Sequence, residues 1–397
     1  MFDCPLTSIL LVILCRRQHF RREKKKQIEV VQTRFFLVSV FFSIVSHIQR
    51  VMIWMWKENA DPFALEPEQW CQYSDIEMAI IEDAYQANLP EALLDDYHID
   101  LVRFLQISNS DIRHQRPVQR RLNTREKIKA RKERFFSDCI SPSIACTTNP
   151  GPWLAGIFCH TAMELFNISY YDQLKEDPDT RRMVIERAAE GLIIEGKKMG
   201  KQKEAEWMAQ QLLNVKDGTR EVVWACCVRI FCKESFLYKK MNEVMRLVEE
   251  TNDQYEKLWR DKVKTFGPFA LLLFDLGDWK SSHPMIVYRS ANLSDDLIEQ
   301  YHKTSTDANP YNRRICFPTF TSTSRNRAVA EFMDGNVLFE IQTGDGPTAA
   351  YNSDVSLHSD FDEEEELIPP GALFIVQSCI FDTDKHKWQI QLRAIGI

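Results

Sequence analysis

Three short segments follow one another between Val287 and Gly371: VYRS (Val287–Ser290), FTSTS (Phe320–Ser324) and DEEEELIPPG (Asp362–Gly371). Each lies at the edge of an apolar run with strand-like texture. Arg289 closes one such run, so its guanidinium is expected at a sheet edge. There its planar fork can clasp a diphosphate through paired, charge-assisted hydrogen bonds. Ser322 ends a second run, and Arg325–Met333 follows with helical spacing; a serine at that junction can orient a carboxylate or a ribose hydroxyl. Glu365 stands just ahead of Leu367-Ile368, at a strand start that would hold its carboxylate rigid. A fixed carboxylate is what a reaction through an oxocarbenium-like sugar needs.

Outward from this stretch, the β-like runs are Met285–Tyr288, Phe317–Ser322, Asn336–Gln342, Glu366–Ile368, Ala372–Ser378 and Lys387–Arg393. The chain before them reads as helical over Glu164–Leu213 and Thr219–Trp259. Within the latter, Val222, Val223, Cys226, Cys227, Ile230, Leu237, Met241 and Met245 follow a helical period over Glu221–Met245. Helices first and strands later indicate an α+β fold rather than an alternating parallel sheet. A separate unit spans Met52–Leu122. Trp54-Met55-Trp56 and Trp70–Tyr73 read as strands, and Ser74 or Asp75 caps a helix through Gln86. Tyr97–Ile107 then alternates as a further strand. The basic stretch Asn123–Arg134 reads as a solvated connecting helix, and Pro142–Pro152 as a linker.

At 397 residues and 44% apolar, the chain has material for two domains. A net charge of -7 argues against bulk attraction to nucleic acid. The 11 cysteines are an odd number and include no Cys-x-x-Cys pair, which fits reduced thiols in a cytosolic setting. Residues 1–51 carry two apolar runs, Pro5–Cys15 and Phe35–Val45, each short of a membrane span. They read as a leader or a mis-assigned start, with the folded protein beginning at Met52; membrane anchoring is the lesser alternative. No apolar tail closes the chain, so no lipid-anchor signal is expected there. Gly191–Lys198 (GLIIEGKK) nearly matches a phosphate loop, but Lys198 occupies the Ser/Thr position and the segment lies inside a helical pattern. Gly344-x-Gly346 is followed by proline and cannot open a dinucleotide-binding helix.

Arg289, Ser322-Thr323-Ser324 and Glu363-x-Glu365 before LIPPG resemble the arginine-directed mono-ADP-ribosyltransferases, which share their fold with several bacterial toxins. The resemblance covers roughly Thr219–Ile397 and includes FCKESFLYKKMNEVMR (Phe231–Arg246), similar to that family's helical subdomain. It implies a helical subdomain plus a two-sheet β core. It also implies NAD as co-substrate, without a metal, in a site formed by Arg289, Ser322, Ser324 and Glu365. Arg289 would bind the phosphates, Ser322 would bond to Glu365, and Glu365 would grip the 2′-hydroxyl of the nicotinamide ribose. Glu363 would pair with the incoming guanidinium of a protein arginine, and Phe361 lies in the same loop. The chain departs from the family at Glu366, where an aliphatic residue is usual; a one-residue shift would make Glu366 the catalytic carboxylate. NADP in place of NAD stays open, as do water as acceptor and an inert scaffold.

Met52–Leu122 resembles a WWE domain, a half-barrel sheet with one helix, through WMW (Trp54–Trp56), WCQY (Trp70–Tyr73), IEDAY (Ile81–Tyr85), YHIDLVRFLQ (Tyr97–Gln106) and RPVQRR (Arg116–Arg121). Trp54, Trp70 and Glu82 match the residues that name the family. The resemblance implies binding of poly(ADP-ribose) through Tyr73, Tyr97, Gln106 and Arg116. Cys71 stands where some binders carry an aromatic residue, and a protein-contact role is the alternative. The expected organisation is thus residues 1–51, a WWE domain at 52–122, a basic linker and helical segment at 123–213, and a catalytic domain at 219–397. The implied partners are an arginine-bearing protein substrate and poly(ADP-ribose), with no sequence-specific nucleic acid, in cytoplasm or nucleus.

Overall fold

The computed structural model describes residues 52–63, 67–122, 156–249, 252–279, 284–333, 335–344, 352–356, 358 and 364–395. The readings placed on residues 1–51, the basic stretch 123–134, the 142–152 linker, Phe361 and Glu363 lie outside the described residues. So does the second glycine of the Gly344-x-Gly346 pair.

The N-terminal unit is an antiparallel sheet of β1 (Met52–Lys57), β2 (Trp70–Gln72), β3 (Glu91–Leu93), β4 (Tyr97–Asp100), β5 (Leu105–Ser108) and β6 (Gln115–Leu122), ordered β2-β1-β6-β5-β4-β3. Its helix α1 (Asp75–Gln86) starts as the sequence indicates: Ser74 and Glu77 form a reciprocal capping box. Trp54, Ile81, Ile99 and Val118 are buried between helix and sheet. The single strand expected over Tyr97–Ile107 is instead a hairpin. The Asp100 carboxylate accepts from the Val102 and Arg103 amides, and Phe104 adopts a φ of 56°, which turns the chain between β4 and β5.

Among the described residues seven α-helices follow: α2 (Gly156–Leu165), α3 (Gln173–Glu176), α4 (Pro178–Lys198), α5 (Gln202–Asn214), α6 (Arg220–Cys232), α7 (Phe236–Arg246) and α8 (Asp253–Asp275). The period read across Glu221–Met245 belongs to two helices, α6 and α7, broken over residues 233–235. Cys226 and Cys227 are buried in the core, and burial pushes both thiols up. The near phosphate loop at Gly191–Lys198 is interior to α4. Its glycines serve packing: a Cβ on Gly191 would lie 2.0 Å from the Thr265 carbonyl oxygen of α8.

The C-terminal part contributes β7 (Met285–Ala291), α9 (Asp295–Thr306), β8 (Arg314–Phe317), β9 (Thr321–Ser324), α10 (Arg327–Phe332), β10 (Val337–Thr343), β11 (Ser353–Asp354), β12 (Glu365–Ile368), β13 (Ala372–Asp382) and β14 (Lys387–Ala394). Strand order is β11-β12-β9-β7-β10-β14-β13-β8. Among the described residues β7 meets β9 only at Tyr288↔Ser324, so the sheet divides there into two halves. One half reaches the helical core through Phe320, Val355 and Leu367; the other encloses its own core of Val287, Phe317, Phe339, Phe374 and Ile390. The run Phe317–Ser322 is thus not one strand. Its first residue ends β8 at the sheet's edge, and its last two belong to β9 in the other half.

The N-terminal unit is docked on the helices. Asp95 Oδ1 accepts from the Lys203 amide at 2.7 Å and Oδ2 from the Glu204 amide at 3.4 Å, at the start of α5. Lys201, the N-cap of α5, supplies no side-chain cap of its own. Asp75 accepts from the Glu234 amide just ahead of α7, and Asp83 from the Trp207 indole, both at 2.8 Å. Ile76 of α1 is fully buried in the helical core. Among the described residues no helix is long and apolar enough to cross a membrane.

Candidate active site

Arg289 does not sit at a sheet edge, as the end of an apolar run suggested. β7 has neighbours on both sides, β9 and β10, and Arg289 faces Phe339 across the ladder at 3% exposure. Its Nη1 donates to the Ser322 carbonyl oxygen at 2.7 Å. A guanidinium in the middle of a sheet can hold its charge only with such acceptors.

All of Thr321–Ser324 and Glu365–Ile368 are buried. The antiparallel register pairs Glu365 with Ser324 and Leu367 with Ser322. Since side chains alternate along a strand, Glu365, Ser322 and Ser324 share one face, while Glu366 and Thr323 share the other. The chain enters β12 through Glu364, whose φ of 46° is uncommon for a residue with a side chain. The Glu364 carbonyl accepts from the Arg325 amide, and the Glu365 carbonyl from the Val355 amide, both at 3.1 Å. The backbone on both sides of Glu365 is therefore tied down.

Glu366 has a different role. Its Oε1 accepts from Arg325 Nη1 and its Oε2 from Asn352 Nδ2, each at 2.8 Å. Arg325 also holds Asp354 at 2.7 Å. Burial pushes the Glu366 carboxyl upward against these partners. Burial also opposes ionisation of Asp354, but the hydrogen bonds from Arg325 and Ser356 hold its carboxyl below the usual range. Sequence reasoning missed Arg325 and Asn352. The signal was Glu366 itself, since a carboxylate on a buried strand requires donors nearby.

In the N-terminal sheet the Tyr73 hydroxyl donates to Gln106 Oε1 at 2.6 Å, and burial raises that phenol far above its usual range. Gln106 lies opposite Arg116 across β5 and β6. Arg116 Nη1 donates to the Lys57 and Asn59 carbonyls, both at 2.9 Å, and its guanidinium lies over Trp56, 5.3 Å from the ring centroid. Tyr97, half-buried on β4 opposite Ser108, adds to the electrostatic burden on Tyr73. The structure thus ties Tyr73, Gln106 and Arg116 into one connected patch, with Tyr97 two strands from Arg116.

The signature residues have unequal roles. Trp54 donates its indole N–H to Glu82 at 2.8 Å, and Arg120 grips the same carboxylate through two nitrogens at 2.6 and 2.9 Å. Burial opposes ionisation of Glu82, but the hydrogen bonds from Arg120, Gln86 and Trp54 prevail and bring its carboxyl to about 2. Trp70 bonds instead to Glu68 and lies under Arg121.

A sequence model of the NAD:arginine ADP-ribosyltransferase family matches residues 198–397, and one of the WWE domain matches residues 52–120. Among solved structures, the ADP-ribosyltransferase HopU1 of Pseudomonas syringae is similar at 18% identity, over 48% of this chain and 83% of that one, with a TM-score of 0.33. The type III effector XopAI of Xanthomonas axonopodis is similar at 15% identity, over 60% and 97%, with a TM-score of 0.38. Exoenzyme S of Pseudomonas aeruginosa, solved with carba-NAD and a human 14-3-3 protein, is similar at 15% identity, over 52% and 86%, with a TM-score of 0.33. No curated protein matches the chain.

Proposed function

The chain belongs to the NAD:arginine ADP-ribosyltransferase family and carries a WWE domain; from that premise we propose that it transfers single ADP-ribose units from NAD to arginine side chains. The observation carrying the proposal is the register of β9 and β12, which gives Glu365, Ser322 and Ser324 one face while Arg289 is tied to the same strand. In this reading Arg289 binds the NAD phosphates, and Ser322 and Ser324 orient Glu365 and the ribose. The Glu365 carboxylate accepts from the ribose 2′-hydroxyl as the bond from C1′ to the nicotinamide nitrogen breaks, and nicotinamide departs with the bonding pair. Positive charge then spreads over C1′ and the ring oxygen beside a fixed carboxylate, which lowers the barrier without reorganisation. Glu363 takes the proton as the acceptor guanidine nitrogen bonds to C1′.

Glu365 and Ser322 are both at 0% exposure, so the groups covering them must move before NAD can touch either. Glu366 is the weaker candidate for the catalytic role because two donors already hold its two oxygens.

The WWE domain would bind poly(ADP-ribose) at Tyr73, Tyr97, Gln106 and Arg116, with aromatic faces for the base and a guanidinium for phosphate. We take residues 52–122 as that reader, 219–397 as the catalytic domain, and the intervening chain as their connection. The test is incubation of the full chain with NAD labelled in the adenylate part, with and without agmatine as guanidine donor. Transfer of label to agmatine supports the reading. Nicotinamide release without transfer makes the chain an NAD glycohydrolase, and no turnover makes it a scaffold.

A further inference from the structure

On the face of β12 opposite Glu365, a cavity of about 520 Å³ opens between the first turns of α6 and the β11–β12 edge. Its volume lies in the range of small-molecule sites, roughly 300–1,000 Å³. Glu366, Asp354 and Asn352 form one wall, Trp224 and Glu221 the other, with Asp278 at the rim.

Two features of this cavity point to the same ligand chemistry. The first is an acceptor without a donor. Asn352 is 2% exposed and its Oδ1 has no hydrogen-bond partner among the described residues. Its amide cannot be turned to hide this, because Nδ2 is the donor that Glu366 Oε2 requires at 2.8 Å. A buried carbonyl oxygen left in that state costs about 1–3 kcal/mol, which a ligand N–H would recover once the groups sealing the oxygen from the cavity move aside.

The second is charge. Four lining carboxylates (Glu221, Asp278, Asp354, Glu366) face two guanidiniums (Arg220, Arg325). Both guanidiniums are already engaged: Arg220 with Glu221 at 2.6 Å, and Arg325 with Asp354 and Glu366. Asp278 has no ion pair among the described residues, and the indole of Trp224 adds a π surface that favours a cation. A phosphate or carboxylate would meet a wall with more carboxylates than guanidiniums, whereas a cation with N–H donors fits both features.

We propose that this cavity is a binding site for a small organic cation bearing N–H donors, an alkylammonium or a guanidinium, gripped by Asn352 Oδ1 and Asp278 over the Trp224 indole. The same chemistry is presented by a free amine and by a lysine or arginine side chain of a peptide. The site is separate from the transfer position, because Glu365 points to the other face of the strand.

The test is calorimetric titration of the full chain, without NAD, using spermidine, agmatine and a short peptide containing lysine and arginine, at low and high salt. The wild type is expected to bind a free amine, the peptide or both, more weakly at high salt. Asn352→Leu and Asp278→Asn should each weaken binding about tenfold or more, the loss expected for one hydrogen bond to a charged donor. Glu365→Gln should leave it unchanged. Asp278 is exposed, so Asp278→Asn reports on binding even where Asn352→Leu disturbs the fold. Tighter binding of the free amines assigns the site to a metabolite, and tighter binding of the peptide to a protein segment. Absence of binding overturns the proposal. So does binding that survives both cavity substitutions, or that is lost in Glu365→Gln.

Discussion

Replacing Asp95 by alanine should weaken the helical segment around α5 from a distance. Asp95 lies between β3 and β4 of the WWE domain, yet its carboxylate occupies the position of an N-cap side chain for α5. Loss of such a cap costs about 1 kcal/mol, within a range of roughly 0.5–2. Loss of negative charge at a helix N-terminus adds about 0.3–1 kcal/mol. The bond to Glu204 is long at 3.4 Å, so the bond to Lys203 carries most of the effect. The sum is about 1–2 kcal/mol, and at about 2–4 °C per kcal/mol for a large domain the melting temperature falls by roughly 2–8 °C. Hydrogen exchange should locate the loss at the Lys203 and Glu204 amides. Asp95→Asn, which keeps an acceptor but not the charge, should give a smaller drop, and the exposed neighbour Asp96→Ala none. If Asp95→Ala matches Asp96→Ala in both melting and exchange, the docking described above is wrong.

Three other outcomes follow from the geometry. Glu82 is held at about 2 against an ordinary 4.5, so its contribution is complete above pH ~4.5 and fades as pH falls toward 2. Glu82→Gln should therefore cost about 1.5–3 kcal/mol at pH 7 in urea unfolding, with the gap to wild type shrinking at pH 3; an equal gap at both values would count against the bonds from Trp54 and Arg120 to Glu82. Gly191→Ala places a methyl against the Thr265 carbonyl, so it should destabilise by about 1–3 kcal/mol or more, read by the same urea titration. Arg116→Ala should reduce binding of fluorescent poly(ADP-ribose) by about tenfold or more, as expected for a lost charged contact; unchanged polarisation would remove Arg116 from the proposed reader site.

Much of the fold was legible because local chemistry and tertiary context agreed. Ser74 and Glu77 announce α1, and Leu367-Ile368 behind a glutamate announces β12. The failures came where a period continued across a turn made by side chains or by unusual backbone. Asp100 and Phe104 break the alternation of Tyr97–Ile107, and residues 233–235 break the helical period of α6 and α7. Phe317–Ser322 reads as one strand only if Pro318 is passed over; that proline, which cannot donate to a ladder, was the local signal that the chain leaves β8 after Phe317. For the candidate site, the order of Arg289, Ser322 and Glu365 was visible, but the burial of Arg289 was not. Its exposure depends on β9 and β10, which arrive from elsewhere in the chain. The docking aspartates were invisible for a related reason: a cap supplied from more than a hundred residues away leaves no spacing signal.

The division of labour on β12 is the central claim, and paired substitutions test it most directly. Transfer of ADP-ribose to agmatine should be measured for Glu365→Gln and Glu366→Gln, each checked for folding by its melting temperature. The account predicts that Glu365→Gln lowers the rate by about 10²–10³-fold with little change in stability, as expected for losing a preorganised charge at the reacting sugar. Glu366→Gln should mainly lower stability, since it uncouples Arg325 and Asn352. The opposite pattern, with transfer abolished by Glu366→Gln and retained by Glu365→Gln, would contradict it.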